Sequence, residues 1–135
     1  MRIGGIGWQV FVLAAAAGLL VPWTVLLGVT LPPVAQAEHW SLAWTGLDAL
    51  IAVGLAGTAW LAHQRDIRVV LPATATATLM VFDAWFDLCT AAPGPDFSLA
   101  LVEAALCELP LAAVCAGVAL SALRRLTRTA VAVPR

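Results

Sequence analysis

The chain has 135 residues, 62% of them hydrophobic and 11% charged, with a formal net charge of −1 and a mean hydropathy of +0.96. A soluble domain carries roughly 45–50% apolar and about 25% charged residues, and a core this small cannot hide the excess, so lipid must solvate part of the surface. No basic face exists outside short loops, which excludes nucleic acid as a partner.

The first apolar stretch, residues 6–31, is long enough to span a membrane, which takes about 20 apolar residues in helix. Its polar members are Gln9 and Thr24, with the indole of Trp23, beside Pro22. Arg2, an apolar run and then Ala35-Gln36-Ala37 resemble a secretory signal with its cleavage site. The run is far longer than the roughly 7–15 residues of a signal core, so an uncut span is expected. Pro32-Pro33 ends it.

Residues 40–61 form the second span. His63-Gln64-Arg65-Asp66 makes a tight polar turn into the third, residues 69–91. Pro93-Gly94-Pro95 separates that from the fourth, residues 98–123. Such short links force neighbouring helices to run antiparallel. The fold expected is therefore an all-α membrane protein, a four-helix up-down-up-down transmembrane bundle in one domain (residues 1–126), with a short disordered tail over residues 127–135.

The basic residues orient it. Arg2, Arg65, Arg68, Arg124, Arg125, Arg128 and Arg135 lie before the first span, in the second loop and after the last span. The other two loops carry only Glu38, His39 and Asp96. The positive-inside rule then predicts both termini and the middle loop in the cytoplasm.

Five acids fall inside predicted spans: Asp48 in the second, Asp83 and Asp87 in the third, Glu103 and Glu108 in the fourth. An Asp at mid-span costs about 2.5–3.5 kcal/mol on insertion scales, so these groups should face the bundle interior or a water-filled cavity. At a rise of about 1.5 Å per residue they lie about 6–15 Å below the outer ends of their helices, in the same half of the bilayer. At about 100° per residue, Thr76, Met80, Asp83, Asp87 and Thr90 fall within about 80° of one another. Ser41, Trp44, Thr45 and Asp48 form a comparable stripe, with Trp44 one turn from Asp48. Glu103 and Glu108 diverge by about 140° on a straight helix, although Pro110 is expected to bend the chain near Glu108. No Arg, Lys or His lies within a span. Each acid must therefore be protonated, share a proton with a neighbour, or bind a cation supplied from outside.

Other chemistries find no support. His39 and His63 bracket one helix, about 36 Å apart, and cannot share an iron. The Glu-x-x-His pairs of a di-iron bundle are missing, and no metal or cofactor is expected. Cys89, Cys107 and Cys115 lack motif spacing and read as small packing residues. Gly54 and Gly57, among alanines, suggest close helix packing. Most of the tryptophans suit an interfacial belt; Trp44 is the exception, placed beside Asp48.

The stretch TATATLMVFDAWFDLCTA, residues 74–91, followed by Val102-Glu103-Ala104 and Glu108-Leu109-Pro110, resembles a group of small four-helix membrane proteins of high-GC actinobacteria. The resemblance covers the last three spans. It implies a bacterial plasma-membrane location and carries no catalytic residue onto this chain.

Three functions remain open. The acids Asp48, Asp83, Asp87, Glu103 and Glu108, with Trp44, can bind or move a proton, a cation or an amphiphilic organic cation, with Trp44 adding cation–π attraction. In a membrane enzyme, two carboxyls drawn from Asp83, Asp87, Asp48 and Glu103 can act as general acid and base on a lipidic or isoprenoid substrate. In an accessory subunit the acids only hold helices together. The partners expected are membrane lipids, a small cationic or lipidic ligand and, for transport, a second copy of the chain.

Overall fold

Apolar length dictates the architecture. In the computed structural model, which describes residues 4–32, 34 and 36–131, with side chains for 12–32, 34 and 36–128, α1 spans Gly4–Thr30, α2 Trp40–His63 and α3 Val70–Thr90. The last span is one continuous rod in three parts: α4 (Pro95–Glu103), a π-helical turn (Ala104–Glu108) and α5 (Leu109–Val131). Among the described residues, four segments are long and apolar enough to cross a membrane. No strand occurs among the described residues. The chain is an all-α, multi-pass integral membrane protein. Arg2, Pro33, Ala35, Arg135 and the rest of the tail beyond Val131 lie outside the described residues, as do the side chains of Trp8 and Gln9.

The chain forms two compact units, Met1–Glu38 and His39–Arg135. In the first, α1 exposes large apolar side chains on every side, among them Leu13, Leu19, Val21, Trp23 and Val29. A helix apolar all round suits hydrocarbon as its solvent. Its hydroxyls are satisfied internally: Thr24 Oγ1 donates to Leu20 O at 2.8 Å and Thr30 Oγ1 to Leu26 O at 2.7 Å, as burial in lipid requires.

In the second unit α3 is the centre, packed along α5 and against α2, while α2 and α5 touch only slightly. The helices meet through small residues. Ala73, Thr76, Met80, Asp83 and Ala84 are buried on α3, and Ala112, Cys115 and Ala119 on α5. Large side chains such as Leu71, Phe82 and Trp85 point outward. Without a hydrophobic drive between helices in lipid, such small stripes let backbones approach closely. Gly54 of α2 lies directly against the side chain of Thr76.

Two boundaries differ from expectation. The last span begins at Pro95 rather than residue 98, because proline suits the first helical turn and Gly94 supplies the preceding left-handed φ of 109°. That start brings Asp96 into the first turn of α4, where the helix dipole favours negative charge. At the other end α5 continues to Val131, so the segment expected to be a disordered tail from Thr127 is helical as far as it is described.

The turn after α2 places Arg65 at φ 57° and leads into a 3-10 turn, Ile67–Val69, capped by Asp66. Asp66 Oδ1 accepts from Arg68 N–H at 2.8 Å, and Oδ2 accepts from Arg68 Nε and Nη2 at 2.9 and 2.7 Å. These bonds hold the Asp66 carboxyl below the usual carboxylate range. Because the folded state titrates lower than the unfolded one, the stabilisation is fully present above the ordinary carboxylate pKa. It is lost as pH falls through the lowered value. Asp66→Asn should therefore lower the melting temperature slightly at neutral pH, and the difference from wild type should close in strong acid. A gap that persists unchanged in acid would mean that the ion pair is not its source.

Candidate functional site

Three helices of the second unit carry the acids, and their side chains line one cavity. Trp44 and Asp48 come from α2, Asp83 and Asp87 from α3, Glu103 from the end of α4, and Cys107 and Glu108 from the π-helical turn. The cavity has a volume of about 370 Å³, within the range of small-molecule sites. All six residues singled out from the sequence are brought together here.

Their exposure is graded. Asp83 and Glu108 form the floor, 8% and 9% exposed. Asp87 and Trp44 are half-buried, and Asp48 and Glu103 are exposed at the rim. The charged neighbours of Asp83 are Asp87, Asp48 and Glu103; those of Glu108 are Asp87, Asp83 and Glu103. No basic side chain lines the cavity among the described residues. Glu108 Oε2 is buried with no donor facing it among them, although the Glu108 carboxyl lies within hydrogen-bonding reach of the Asp87 carboxyl.

Glu108 reaches the cavity by a backbone device. On a straight α-helix it would point away from Glu103, five residues earlier. Between them the chain widens into a π-turn, and Leu109 N–H donates to Ala104 O five residues back. With i→i+5 bonding, side chains five apart stack on one face. The expected bend from Pro110 is thus realised as a wider turn just before the proline, which cannot donate to Leu106 O.

A second cavity of about 330 Å³ adjoins the first and shares Trp44, Asp87 and Glu103 with it. Trp40, Thr90 and Asp96 complete its wall near the α3–α4 connection. The rings of Trp40 and Trp44 meet edge to face, with centroids 5.4 Å apart. Together the two spaces make a vestibule with six carboxyls, two indoles and a route toward the ends of α3 and α4.

Cys107, Trp40 and Asp96 were not singled out from the sequence as site residues. Cys107 passes for a packing residue by composition, yet it is exposed on the cavity side of the π-turn. Trp40 passes for an interfacial anchor, although its spacing of four from Trp44 already puts both rings on one helix face. Cys115, by contrast, is buried in the helix interface. No group of three or more His, Cys, Asp or Glu among the described residues has the geometry to hold a metal ion. No family model matches the chain, and no curated protein or solved structure shows significant similarity to it.

Proposed function

We propose that this protein binds a cation in an acidic intramembrane vestibule in the outer half of a bacterial plasma membrane, exchanging it for protons. The observation that carries this reading is the convergence of carboxyls from three helices on one cavity that no basic side chain lines among the described residues. In low dielectric such a cluster holds its charge only if protons or an outside cation neutralise it. An amphiphilic organic cation suits the vestibule better than a bare ion. Its size matches the cavity, and the indoles of Trp40 and Trp44 offer a cation–π surface at the entrance. Binding converts a carboxylic acid to a carboxylate paired with the cation and frees a proton. Three helices make a thin wall around any path, so movement across the membrane would use a second copy of the chain.

Purified protein titrated with tetraphenylphosphonium in weakly buffered solution should bind it and release on the order of one proton per cation, followed with a pH-indicator dye. Sodium chloride at equal ionic strength should release far fewer. Absence of binding, or binding with no proton release near neutral pH, would sink the exchange.

A further inference from the structure

The acids of the vestibule lie at successive levels along it. Asp96 stands at the outer end with Trp40, Asp87 and Glu103 border both cavities together with Trp44, and Asp83 and Glu108 form the floor. Asp96 and Glu103 are two turns apart on one face of α4, about 10 Å along its axis, and Glu108 lies roughly another 6 Å deeper. At that inner end Glu108 is 9% exposed, and its Oε2 faces no donor among the described residues. A proton shared with the nearby Asp87 carboxyl would join the two groups, but it would leave further lone pairs unmet.

We propose that the cation taken by the vestibule is a linear aliphatic polyamine, with its inner ammonium bridging Asp87 and Glu108 and its outer ammonium between Trp40 and Asp96. This rests on the cation-exchange reading and narrows it. A primary ammonium brings three N–H donors, which a quaternary ammonium or a phosphonium lacks, so it satisfies the buried Glu108 oxygen as well as its charge. Positive nitrogens spaced by short methylene runs match carboxyls at successive levels, whereas one compact charge leaves an end of the vestibule unpaired. The methylenes have Leu99 and Ala100 to lie against in the outer cavity, and the indoles of Trp40 and Trp44 attract the charged nitrogens between them.

Isothermal titration calorimetry of the full chain in uncharged detergent, at matched ionic strength, tests this with four ligands: spermine, putrescine, decamethonium and tetraphenylphosphonium. The wild type should bind spermine about tenfold tighter than putrescine, which is too short to reach both ends. It should also bind spermine tighter than decamethonium, a long dication with no N–H. Glu108→Gln sets an amide donor beside Asp87 and should weaken spermine about 20-fold, and decamethonium clearly less. Asp96→Asn should weaken spermine about threefold and putrescine less. Melting temperatures check that the variants fold; if Glu108→Gln does not, the ligand series on the wild type decides. Spermine bound no tighter than putrescine or decamethonium, or folded variants that bind it as wild type does, would overturn the proposal. Displacement of spermine by magnesium at equal charge would also overturn it, in favour of diffuse counterions. Tetraphenylphosphonium binding with proton release but no preference for spermine would remove the polyamine and leave cation exchange standing. Failure to bind any of the four ligands would remove both.

Discussion

Asp83→Asn should give a folded protein that has lost cation affinity by about 30-fold or more. Asp83 is buried on the floor of the vestibule, on the α3 face that also carries Thr76 and Met80. Asn keeps the size and much of the hydrogen-bonding capacity of Asp, but it can neither ionise nor give up a proton. Removing one partner of a desolvated charge pair costs 2–5 kcal/mol or more of binding, which is the stated loss. Folding should not suffer, because an acid surrounded by other acids is a burden on the apo state; the melting temperature should hold or rise. Asp87→Asn, half-buried and nearer the entrance, should lose less. Asp66→Asn lies outside the vestibule and should bind the cation normally, despite its small cost in stability. A strain lacking the gene should be complemented by Asp66→Asn and not by Asp83→Asn. If Asp83→Asn binds tetraphenylphosphonium and releases protons as wild type does, the acids are interhelical hydrogen bonds and nothing more.

How far this site could be read from the residues depended on whether ideal helix geometry applied. The spans follow from apolar length, and their observed ends fall within two or three residues of expectation except after residue 123. Asp83 and Asp87 sit on one face of a regular helix, so a fixed angle per residue found them, and antiparallel order matched their depth to Asp48. Glu108 escaped the same arithmetic because the helix between it and Glu103 is not an α-helix. Pro110 marks the place, but a proline announces a lost hydrogen bond without saying whether the chain will kink or widen. The π-turn is the answer, and it is worth more than a kink, since it brings two glutamates to one face. Asp96 was hidden for another reason: with Pro93, Gly94 and Pro95 before it, it reads as loop, and only the helix start at Pro95 carries it into the vestibule wall. Cys107 and Trp40 show the limit of residue-type priors, for each has a common structural use that explains it adequately until its neighbours are known.

The packing that holds the vestibule together should be most sensitive at Gly54. Thr76 is 1% exposed on α3, and Gly54 of α2 faces it so closely that an added Cβ would collide with Thr76 Oγ1 and come within 3.3 Å of its Cβ. Neither backbone can yield without moving a whole helix. Gly54→Ala should therefore destabilise the second unit by about 1–3 kcal/mol, the usual cost of overpacking, even though Ala is the better helix former by about 1 kcal/mol. Gly54→Val should be worse. Gly46, on the same helix with open space around it, is the control: Gly46→Ala should be neutral or mildly stabilising. Thr76→Ala alone should cost little, because Thr76 Oγ1 has no hydrogen-bond partner among the described residues. Combined with Gly54→Ala it should recover part of the lost stability by removing the colliding hydroxyl, leaving only the tight Cβ contact. Asp48 lies less than two turns from Gly54, so the displaced α2 should also carry its carboxyl away from Asp83 and weaken tetraphenylphosphonium binding. That loss should be partly restored in the double variant, in parallel with stability. Unfolding in a denaturing detergent and cation binding, measured on the four proteins of the cycle, check both halves. Additive effects of the two substitutions would show that Gly54 and Thr76 do not meet, and that α2 and α3 are held apart at this level.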